Sequence, residues 1–331
     1  MRFLPSIKKA ASHNITSVVI ENDGVCAVQI VRGLEKRSHD AKTNASEHTP
    51  AVTSFSYKAN REGVSTQTLL QEISNELKLK DHHCTTVLNS NDYNLLIAEA
   101  PEVPAEEMMS ALNWRVKDLI DTPINETTLE VFPAPAPAGE QTTKSLYVVA
   151  ATDAVIQKRI DQLTQAQINL QTIDITEMAL RNIAALTPEA KEGVAFIWLH
   201  EEGGIVTVFR DGELYMNRQM SSGTKALFNE QSKVETTDNI ILELQRSLDY
   251  FESQFRQNPI RHIVLAPSIQ SLSLLETSLT QVLGVNAKTL DFTELLTCNI
   301  NMPDNWQSEH LIAIGAALRY EEENPSQEDA A

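Results

Sequence analysis

The chain has 331 residues, of which 42% are hydrophobic and 5% aromatic, and this length is sufficient for two domains with separate cores. Its 27 basic and 45 acidic residues give a formal net charge of −18, which repels phosphate backbones and excludes a general role in nucleic-acid binding. No stretch approaches the roughly 18 consecutive apolar residues of a membrane-spanning helix, so we expect a cytoplasmic protein.

The cysteines and histidines do not form a recognisable metal motif. Cys26, Cys84 and Cys298 are odd in number and far apart in the chain. The run His82-His83-Cys84 has no second ligand cluster at the spacing of a zinc site. We therefore expect reduced structural thiols and no metal site.

The first half of the chain begins with a predicted three-stranded meander. The predicted strands are Thr16–Ile20, Val25–Val31 and Ala51–Tyr57. Residues 1–15 are predicted to form an N-terminal tail, and the polar residues 33–50 a surface loop. Ser65 is a good N-cap for a helix predicted over Ser65–Lys78, whose apolar residues recur at helical spacing. The next predicted strands are Thr85–Asn89 and Asn94–Ala98.

The middle of the chain alternates predicted helices and strands. Pro104 is followed by two glutamates, which is typical of a helix start, and the helix is predicted to end at Ile120. An apolar stripe follows one face of this helix, and Trp114 lies off that stripe. The Pro- and Ala-rich run 133–139 predicts an extended loop or hinge. The elements predicted after it are a strand over Ser145–Ala150, a helix over Asp153–Gln167, a strand over Ile168–Ile175 and a helix over Thr176–Leu186.

A second meander, similar to the first, begins at Val194. The predicted strands are Val194–Leu199, Ile205–Arg210 and Glu213–Met220, with glycine-containing turns between them. The elements predicted after it are a helix over Asp238–Phe255, a strand over Arg261–Ala266, a helix over Ser268–Leu283 and a helix over His310–Tyr320. The acidic run 321–331 predicts a disordered tail. Because the two halves share this plan, the sequence indicates a duplicated α/β fold with helices covering mixed sheets around a cleft.

Several short motifs occur in a fixed order along the chain. They lie within Val103 to Thr127, Ile173 to Arg181, Asp211 to Arg218 with Gly223, Leu242 to Phe251, and Ile314 to Arg319. In this order they resemble the actin-like ATPase superfamily and, more closely, the PilM-like proteins of type IV pilus assembly. The resemblance covers nearly the whole chain.

The resemblance implies a particular domain arrangement. It is a duplicated actin-like, ribonuclease H-like fold of two domains, with an inserted subdomain of the PilM or FtsA kind. The implied bounds are 16–150 and 151–186 for the first domain, about 101–135 for the inserted subdomain within it, 190–309 for the second domain and 310–320 for a helix that closes the first domain.

The chain departs from the ATP-binding pattern of this superfamily at all three of its nucleotide loops. ATP-binding relatives have an Asp-x-Gly type phosphate loop in each half and a Gly-Gly turn near the adenosine. The residues found at those places are Val19, Glu21 and Cys26 in the first half, Trp198, His200, Glu201 and Glu202 in the second half, and Pro267 at the adenosine turn. A carboxylate a few Å from a phosphate costs about 1–4 kcal/mol, and proline removes an N–H donor. We therefore expect a degenerate site, no ATP hydrolysis and no cofactor.

The resemblance implies a non-catalytic adaptor. Proteins of this kind bind the short cytoplasmic N-terminal tail of a PilN-like inner-membrane protein, in a groove between the first domain and the inserted subdomain. The residues that correspond to the groove are Met108, Leu112, Trp114, Val116, Ile120, Leu129 and Val131. Trp114 is the candidate anchor, because aromatic side chains commonly supply much of the energy of peptide binding; alternatively, Trp114 is core between subdomains. The implied location is the cytoplasmic face of the inner membrane, with other pilus assembly proteins as further partners.

Two other classes of function are weighed against the adaptor. An actin-like ATP-binding protein or weak ATPase with a remodelled phosphate site would use Asp23, Glu201 and Glu202 as metal ligands if the two meanders face a cleft. A serine hydrolase has little support, because the sequence lacks a Gly-x-Ser-x-Gly motif and its eight histidines are scattered.

Overall fold

The fold is that of a computed structural model, which describes residues 14–32, 49–104, 106–140 and 145–319. The predicted acidic tail lies outside the described residues, as do nearly all of the predicted N-terminal tail and of the loop at 33–50. In the described part of the chain, no helix is long and apolar enough to cross a membrane.

The described elements alternate strands and helices along the chain. The strands are β1 (Asn14–Ile20), β2 (Gly24–Val31), β3 (Ala51–Ala59), β4 (Cys84–Val87), β5 (Asn94–Glu99), β6 (Thr127–Pro133), β7 (Ser145–Thr152), β8 (Leu170–Asp174), β9 (Val194–Leu199), β10 (Gly204–Arg210), β11 (Glu213–Met220), β12 (His262–Leu265), β13 (Asn286–Thr289) and β14 (Thr297–Cys298). The helices are α1 (Thr66–Leu77), α2 (Met108–Val116), α3 (Asp153–Gln165), α4 (Thr176–Ala184), α5 (Thr224–Leu227), α6 (Lys233–Phe255), α7 (Ser273–Leu283), α8 (Phe292–Leu295), α9 (Trp306–Glu309) and α10 (Leu311–Ala317).

The two larger sheets have the same strand order. In the first, the antiparallel meander β3-β2-β1 is followed by the parallel strands β4 and β8, and β14 is added at the β3 edge. In the second, the antiparallel meander β11-β10-β9 is followed by the parallel strands β12 and β13. The predicted duplication is therefore confirmed. We call the units built on these sheets the first lobe and the second lobe.

A third, antiparallel sheet has the order β5-β7-β6. One of its faces packs against α2, and the other packs against residues that follow the first-lobe strands β4 and β8. This unit, which we call the inserted subdomain, takes its edge strand β5 from Asn94–Glu99 and its central strand β7 from Ser145–Thr152. Its sheet therefore extends on both sides beyond the 101–135 segment expected for the insertion.

The main core lies between the two larger sheets. It joins the first sheet, at Cys26 and Val28, to the second sheet, at Phe196 and Val264. Apolar residues of α4 and α10 complete this core, and all of the α10 residues from Leu311 to Ala317 are buried except Ile312. Gly315 allows this packing, because a Cβ there would lie 2.4 Å from the Ala179 carbonyl oxygen. Helix α10 thus contacts both β1 and α4, as a closing helix of the first lobe would.

The meanders agree closely with the sequence prediction, whereas several helix bounds differ. α2 begins at Met108 and not at Pro104, because the Pro104 carbonyl instead closes a separate turn with the Glu107 N–H. α7 begins at Ser273 and not at Ser268. In contrast, α6 begins five residues before the predicted Asp238. The predicted N-cap of α1 is confirmed: the Ser65 hydroxyl accepts a hydrogen bond from the Thr68 N–H.

Candidate functional site

The turn between β1 and β2 occupies the place that the resemblance gives to the first phosphate loop. The side chain of its Glu21 pairs with His310, from a distant part of the same chain. Glu21 Oε2 and His310 Nδ1 are 3.0 Å apart, and the two side chains are only 14% and 1% exposed. The Glu21 N–H donates to the Gly24 carbonyl at 2.8 Å, which closes the turn. Cys26 on β2 is fully buried next to this pair, and Val19 on β1 is core. The turn is therefore attached to the start of α10.

Aromatic rings cover the histidine of this pair. The ring centroids of Phe55 and Tyr57 lie 5.1 Å and 4.5 Å from that of His310. Tyr57 Oη also donates to the Asp23 carbonyl at 3.1 Å. A Cβ at residue 24 would lie 2.3 Å from the Lys58 carbonyl oxygen, so only glycine fits there. These contacts hold the imidazole in one orientation.

Burial determines the protonation behaviour of the groups at this turn. It raises the pKa of the Glu21 carboxyl, although the hydrogen bond and charge of His310 act in the opposite direction. Burial, together with the charges of Glu21 and Asp23, raises the pKa of the Cys26 thiol well above its usual value. Without a compensating cation, the cysteine is therefore a neutral thiol at physiological pH.

The turn between β9 and β10, where a second phosphate loop would lie, is also occupied by contacts within the chain. The Thr224 N–H donates to the His200 carbonyl at 2.8 Å, and the Lys225 N–H donates to the Glu201 carbonyl at 3.0 Å. Lys225 Nζ lies 2.7 Å from Glu202 Oε1 in an exposed ion pair. The N–H groups at the start of α5 are therefore directed at this turn, and they do not face a cleft.

The segment before α5 packs directly on the backbone of the same turn. A Cβ at Gly223 would lie 2.3 Å from the Gly203 nitrogen and 2.5 Å from the Glu201 carbonyl oxygen. A phosphate group cannot enter so close a contact without moving the backbone. Beside the turn, the half-buried Trp198 contacts His200 edge-to-face at 5.8 Å between ring centroids, and burial lowers the pKa of His200.

The third loop follows β12. The Ala266 N–H donates to the Ile197 carbonyl at 2.7 Å, which continues the pairing with β9 as far as the half-buried Pro267. Proline at this position has no N–H to offer and has a fixed φ. The turn thus carries no glycine that would allow a ligand to approach the backbone closely.

The ligand set Asp23, Glu201 and Glu202 is wrong as a site for one metal ion. Within the described residues, these carboxylates do not lie close enough together to share an ion. The group that does come together is Glu21, Cys26 and His310, whose ligand atoms all lie within 4.8 Å of one another. The spacing of cysteines and histidines along the chain could not reveal this group, because His310 is 289 residues from Glu21.

Most of the predicted groove residues are interior to the inserted subdomain. Their side chains pack between α2 and the three-stranded sheet. Leu112, Val116, Ile120 and Leu129 are at most 9% exposed, and Met108 and Val131 are partly buried against them. These side chains form the packed contact between α2 and the sheet, so they are not part of an open surface.

Trp114 lies on the opposite, solvent-facing side of α2. Its side chain is 72% exposed, so the alternative that it is core between subdomains is wrong. Lys117 Nζ lies 4.1 Å from the centroid of its ring, within the range of a cation–π contact. Met109 and Leu119, on and just after α2, are 41% and 56% exposed. We call the exposed side of α2 formed by Trp114 and Lys117 the Trp114 surface.

Sequence reasoning missed a buried polar network at the junction of the lobes. Glu177, the second residue of α4, accepts hydrogen bonds from Tyr93 Oη at 2.6 Å and from Asn217 Nδ2 at 2.8 Å. Asp174, at the end of β8, pairs with Arg319 at 2.6 Å. The acidic residues of the motif Ile173 to Arg181 were a signal for this network, but their partners come from distant segments.

The repeated sheet order, the helices between the sheets and the inserted subdomain are those of an actin-like fold. Among solved structures, a chain of the PilM-PilN type IV pilus biogenesis complex is similar over 92% of this chain and 97% of that one, with a TM-score of 0.66 and 19% sequence identity.

Two further solved structures are less similar. The cytoplasmic domain of EpsL, an inner membrane component of the type II secretion system of Vibrio cholerae, has a TM-score of 0.49 and 10% identity over 93% of this chain and 96% of that one. A protein with an actin-like ATPase fold from Bacteroides thetaiotaomicron has a TM-score of 0.48 and 8% identity over 91% and 96%. No protein-family profile and no curated protein sequence matches this chain.

Proposed function

We propose that the protein is a non-catalytic adaptor of type IV pilus assembly, and more narrowly a MshI-type protein of MSHA pilus biogenesis. Its partner is a PilN-like inner-membrane protein, MshJ in that system, whose N-terminal cytoplasmic tail it docks. It acts at the cytoplasmic face of the inner membrane through this partner, and other pilus assembly proteins join the same complex. The fold shared with a chain of the PilM-PilN complex supports this assignment.

The occupied turns support an adaptor that neither hydrolyses nor binds ATP. A phosphate loop works by pointing free backbone N–H groups at phosphate oxygens. Here the N–H groups of Thr224 and Lys225 donate to carbonyls of the β9–β10 turn, and the backbone of Gly223 packs directly against that turn. On the first lobe, the Glu21 carboxylate is held by His310. Carboxylates at both turns also repel a triphosphate.

The observation that carries the docking proposal is the exposure of Trp114. Trp114 is 72% exposed on a well-supported helix, and tryptophan is enriched at interfaces because it combines a large apolar ring with an N–H donor. Below it, Leu112 and Val116 are fully buried, so α2 is a rigid platform. Lys117 Nζ lies over the ring, and Arg115, the residue after the tryptophan, is tied to Glu99 on β5 at 2.9 Å. The surface therefore offers an aromatic anchor beside polar groups, as peptide sites commonly do.

A peptide titration tests this proposal. The N-terminal cytoplasmic segment of the PilN-like partner is titrated into the full chain, and binding is followed by calorimetry. Trp114→Ala is expected to weaken the affinity about thirtyfold, which corresponds to the loss of about 2 kcal/mol typical of a hot-spot residue. Tyr250→Ala is the matched control, because Tyr250 is a 48% exposed aromatic on a helix of the second lobe. Equal affinities for wild type and Trp114→Ala would rule out the anchor role.

The second candidate, an actin-like ATP-binding protein or weak ATPase, is favoured by one local feature. The β9–β10 turn still ends in Gly203 and Gly204, residues that can present backbone N–H groups to an anion. Calorimetric titration with ATP and Mg²⁺ separates the two functions. The adaptor proposal predicts no heat beyond dilution, and saturable binding with a defined stoichiometry would favour the ATP-binding alternative.

A further inference from the structure

Three potential metal ligands meet at the end of the β1–β2 hairpin, away from the Trp114 surface. Glu21 directly follows the first strand, Cys26 lies on the second strand, and His310 immediately precedes α10. Glu21 Oε2 and His310 Nδ1 are 3.0 Å apart, and Cys26 Sγ lies within 4.8 Å of both. We propose that these three side chains bind a zinc ion. This site is independent of the proposed adaptor function.

The identity of the ligands selects the metal. A thiolate, an imidazole and a carboxylate are the donor types that Zn²⁺ accepts in tetrahedral sites, with a water molecule as the fourth ligand. The sulfur donor disfavours Mg²⁺ and Ca²⁺, which prefer oxygen ligands. Glu21 is 14% exposed, whereas Cys26 and His310 are fully enclosed, so the ion reaches the site from the Glu21 side.

The ligands are held by the surrounding structure before any ion binds. The glycine at position 24 brings the hairpin against β3, where a Cβ would lie 2.3 Å from the Lys58 carbonyl oxygen. Phe55 and Tyr57 pack on the imidazole and restrict its rotation. An oriented histidine within an apolar shell is typical of protein metal sites. Binding of an ion therefore requires little further ordering of these three side chains.

Binding requires a small contraction and the loss of protons. Zinc–ligand bonds of about 2.0–2.3 Å place these tetrahedral ligand atoms about 3.3–3.6 Å apart, so Cys26 Sγ moves inward by up to about 1.2 Å, and Glu21 Oε2 and His310 Nδ1 move slightly apart. The Cys26 thiol and the Glu21–His310 pair each give up the proton that the metal replaces. The divalent charge then offsets the burial of two anionic ligands. The bound ion ties the β1–β2 turn to α10.

Cobalt substitution tests the site in the full chain. The chelator-treated protein is titrated with Co²⁺, and the predicted result is saturable 1:1 binding with a thiolate-to-cobalt charge-transfer band that excess Zn²⁺ abolishes. Cys26→Ser is expected to remove the band. Cys84→Ser and Cys298→Ser are the controls and are expected to keep it, since these two thiols lie outside the group.

A second variant keeps the test decisive if Cys26→Ser fails to fold. Glu21→Gln is expected to leave the far-ultraviolet circular dichroism unchanged and to weaken Co²⁺ binding at least tenfold. Zn²⁺ is expected to raise the Tm of the wild type, while Mg²⁺ at the same concentration leaves it unchanged. Absence of the band in the wild type, retention of the band in Cys26→Ser, or undiminished Co²⁺ affinity of Glu21→Gln would each overturn the proposal.

Discussion

The carboxylate of Glu177 on α4 accepts a hydrogen bond from Asn217 Nδ2 on β11 at 2.8 Å, and this contact joins the first lobe to the second. The other carboxylate oxygen accepts from Tyr93 Oη at 2.6 Å, and that phenol in turn accepts from the Thr176 N–H. Glu177 is 2% exposed. A single buried acid thus links both lobes and the segment that precedes the inserted subdomain.

The first prediction concerns the pH dependence of this acid. Burial raises the pKa of Glu177 above its ordinary value of 4.5, because ionisation in the interior is unfavourable. A carboxyl with a raised pKa contributes stability that is present below the unfolded-state pKa and is lost as the pH rises through the folded-state pKa. We therefore expect Glu177→Gln, which cannot ionise, to be more stable relative to wild type at pH 7 than at pH 4.

Urea denaturation of both proteins at several pH values measures this effect. The predicted result is that the free energy of unfolding of Glu177→Gln rises relative to that of the wild type above pH 4.5. At higher pH the difference between the two proteins levels off. A difference independent of pH would show that Glu177 has the same pKa in the folded and unfolded chain.

A second prediction concerns the contact between the inserted subdomain and the second lobe. Tyr147 Oη on β7 donates to the main-chain carbonyl of Tyr215 on β11 at 2.9 Å, and Tyr147 is 2% exposed. Tyr147→Phe keeps the stacking on Phe132 but leaves the carbonyl without this donor. We expect a loss of about 1 kcal/mol in the free energy of unfolding. Tyr250→Phe, which alters an exposed side chain, is expected to change stability by less than about 0.5 kcal/mol.

A third prediction tests how tightly the β9–β10 turn is covered. Gly223→Ala places a methyl group 2.3 Å from the Gly203 nitrogen, so the backbone must move. Overpacking of this kind costs about 1–3 kcal/mol, measured as a shift in the urea midpoint at constant m-value. A variant as stable as wild type would mean that the turn and the start of α5 separate easily.

A fourth prediction concerns the same turn. It tests whether the carboxylates of the turn or its hydrogen-bonded backbone prevents ATP binding. The double variant Glu201→Ala, Glu202→Ala removes both carboxylates but leaves the Thr224 and Lys225 N–H groups bonded to turn carbonyls. We expect no ATP binding by calorimetry in this variant, as in the wild type. Recovery of ATP binding would instead identify charge repulsion as the main barrier.

Sequence patterns predicted the sheets better than they predicted the site. The strands β9 and β11 begin and end at the predicted residues, because alternating apolar residues and glycine turns are local signals. The Glu21–His310 pair could not be predicted, since 289 residues separate its members. The resemblance placed Leu112 and Val116 in a groove, whereas both residues lie on the buried face of a supported helix, as their helical spacing also allows.

The position of Trp114 was more informative than its residue type. It lies off the apolar stripe of α2, and a side chain off that stripe points to solvent when the stripe is buried. The helix bounds were less predictable, because ends depend on local caps and turns such as the one that Pro104 closes with Glu107.

We propose above all that this protein is recruited to the membrane by the cytoplasmic tail of a PilN-like protein. Flotation of the full chain with vesicles carrying that partner, in the absence of added nucleotide, measures it most directly. We predict that the chain floats with vesicles bearing the intact partner, and that deletion of the partner's N-terminal tail, or Trp114→Ala in this chain, leaves it at the bottom of the gradient. Equal flotation with the tail-deleted partner would contradict the account.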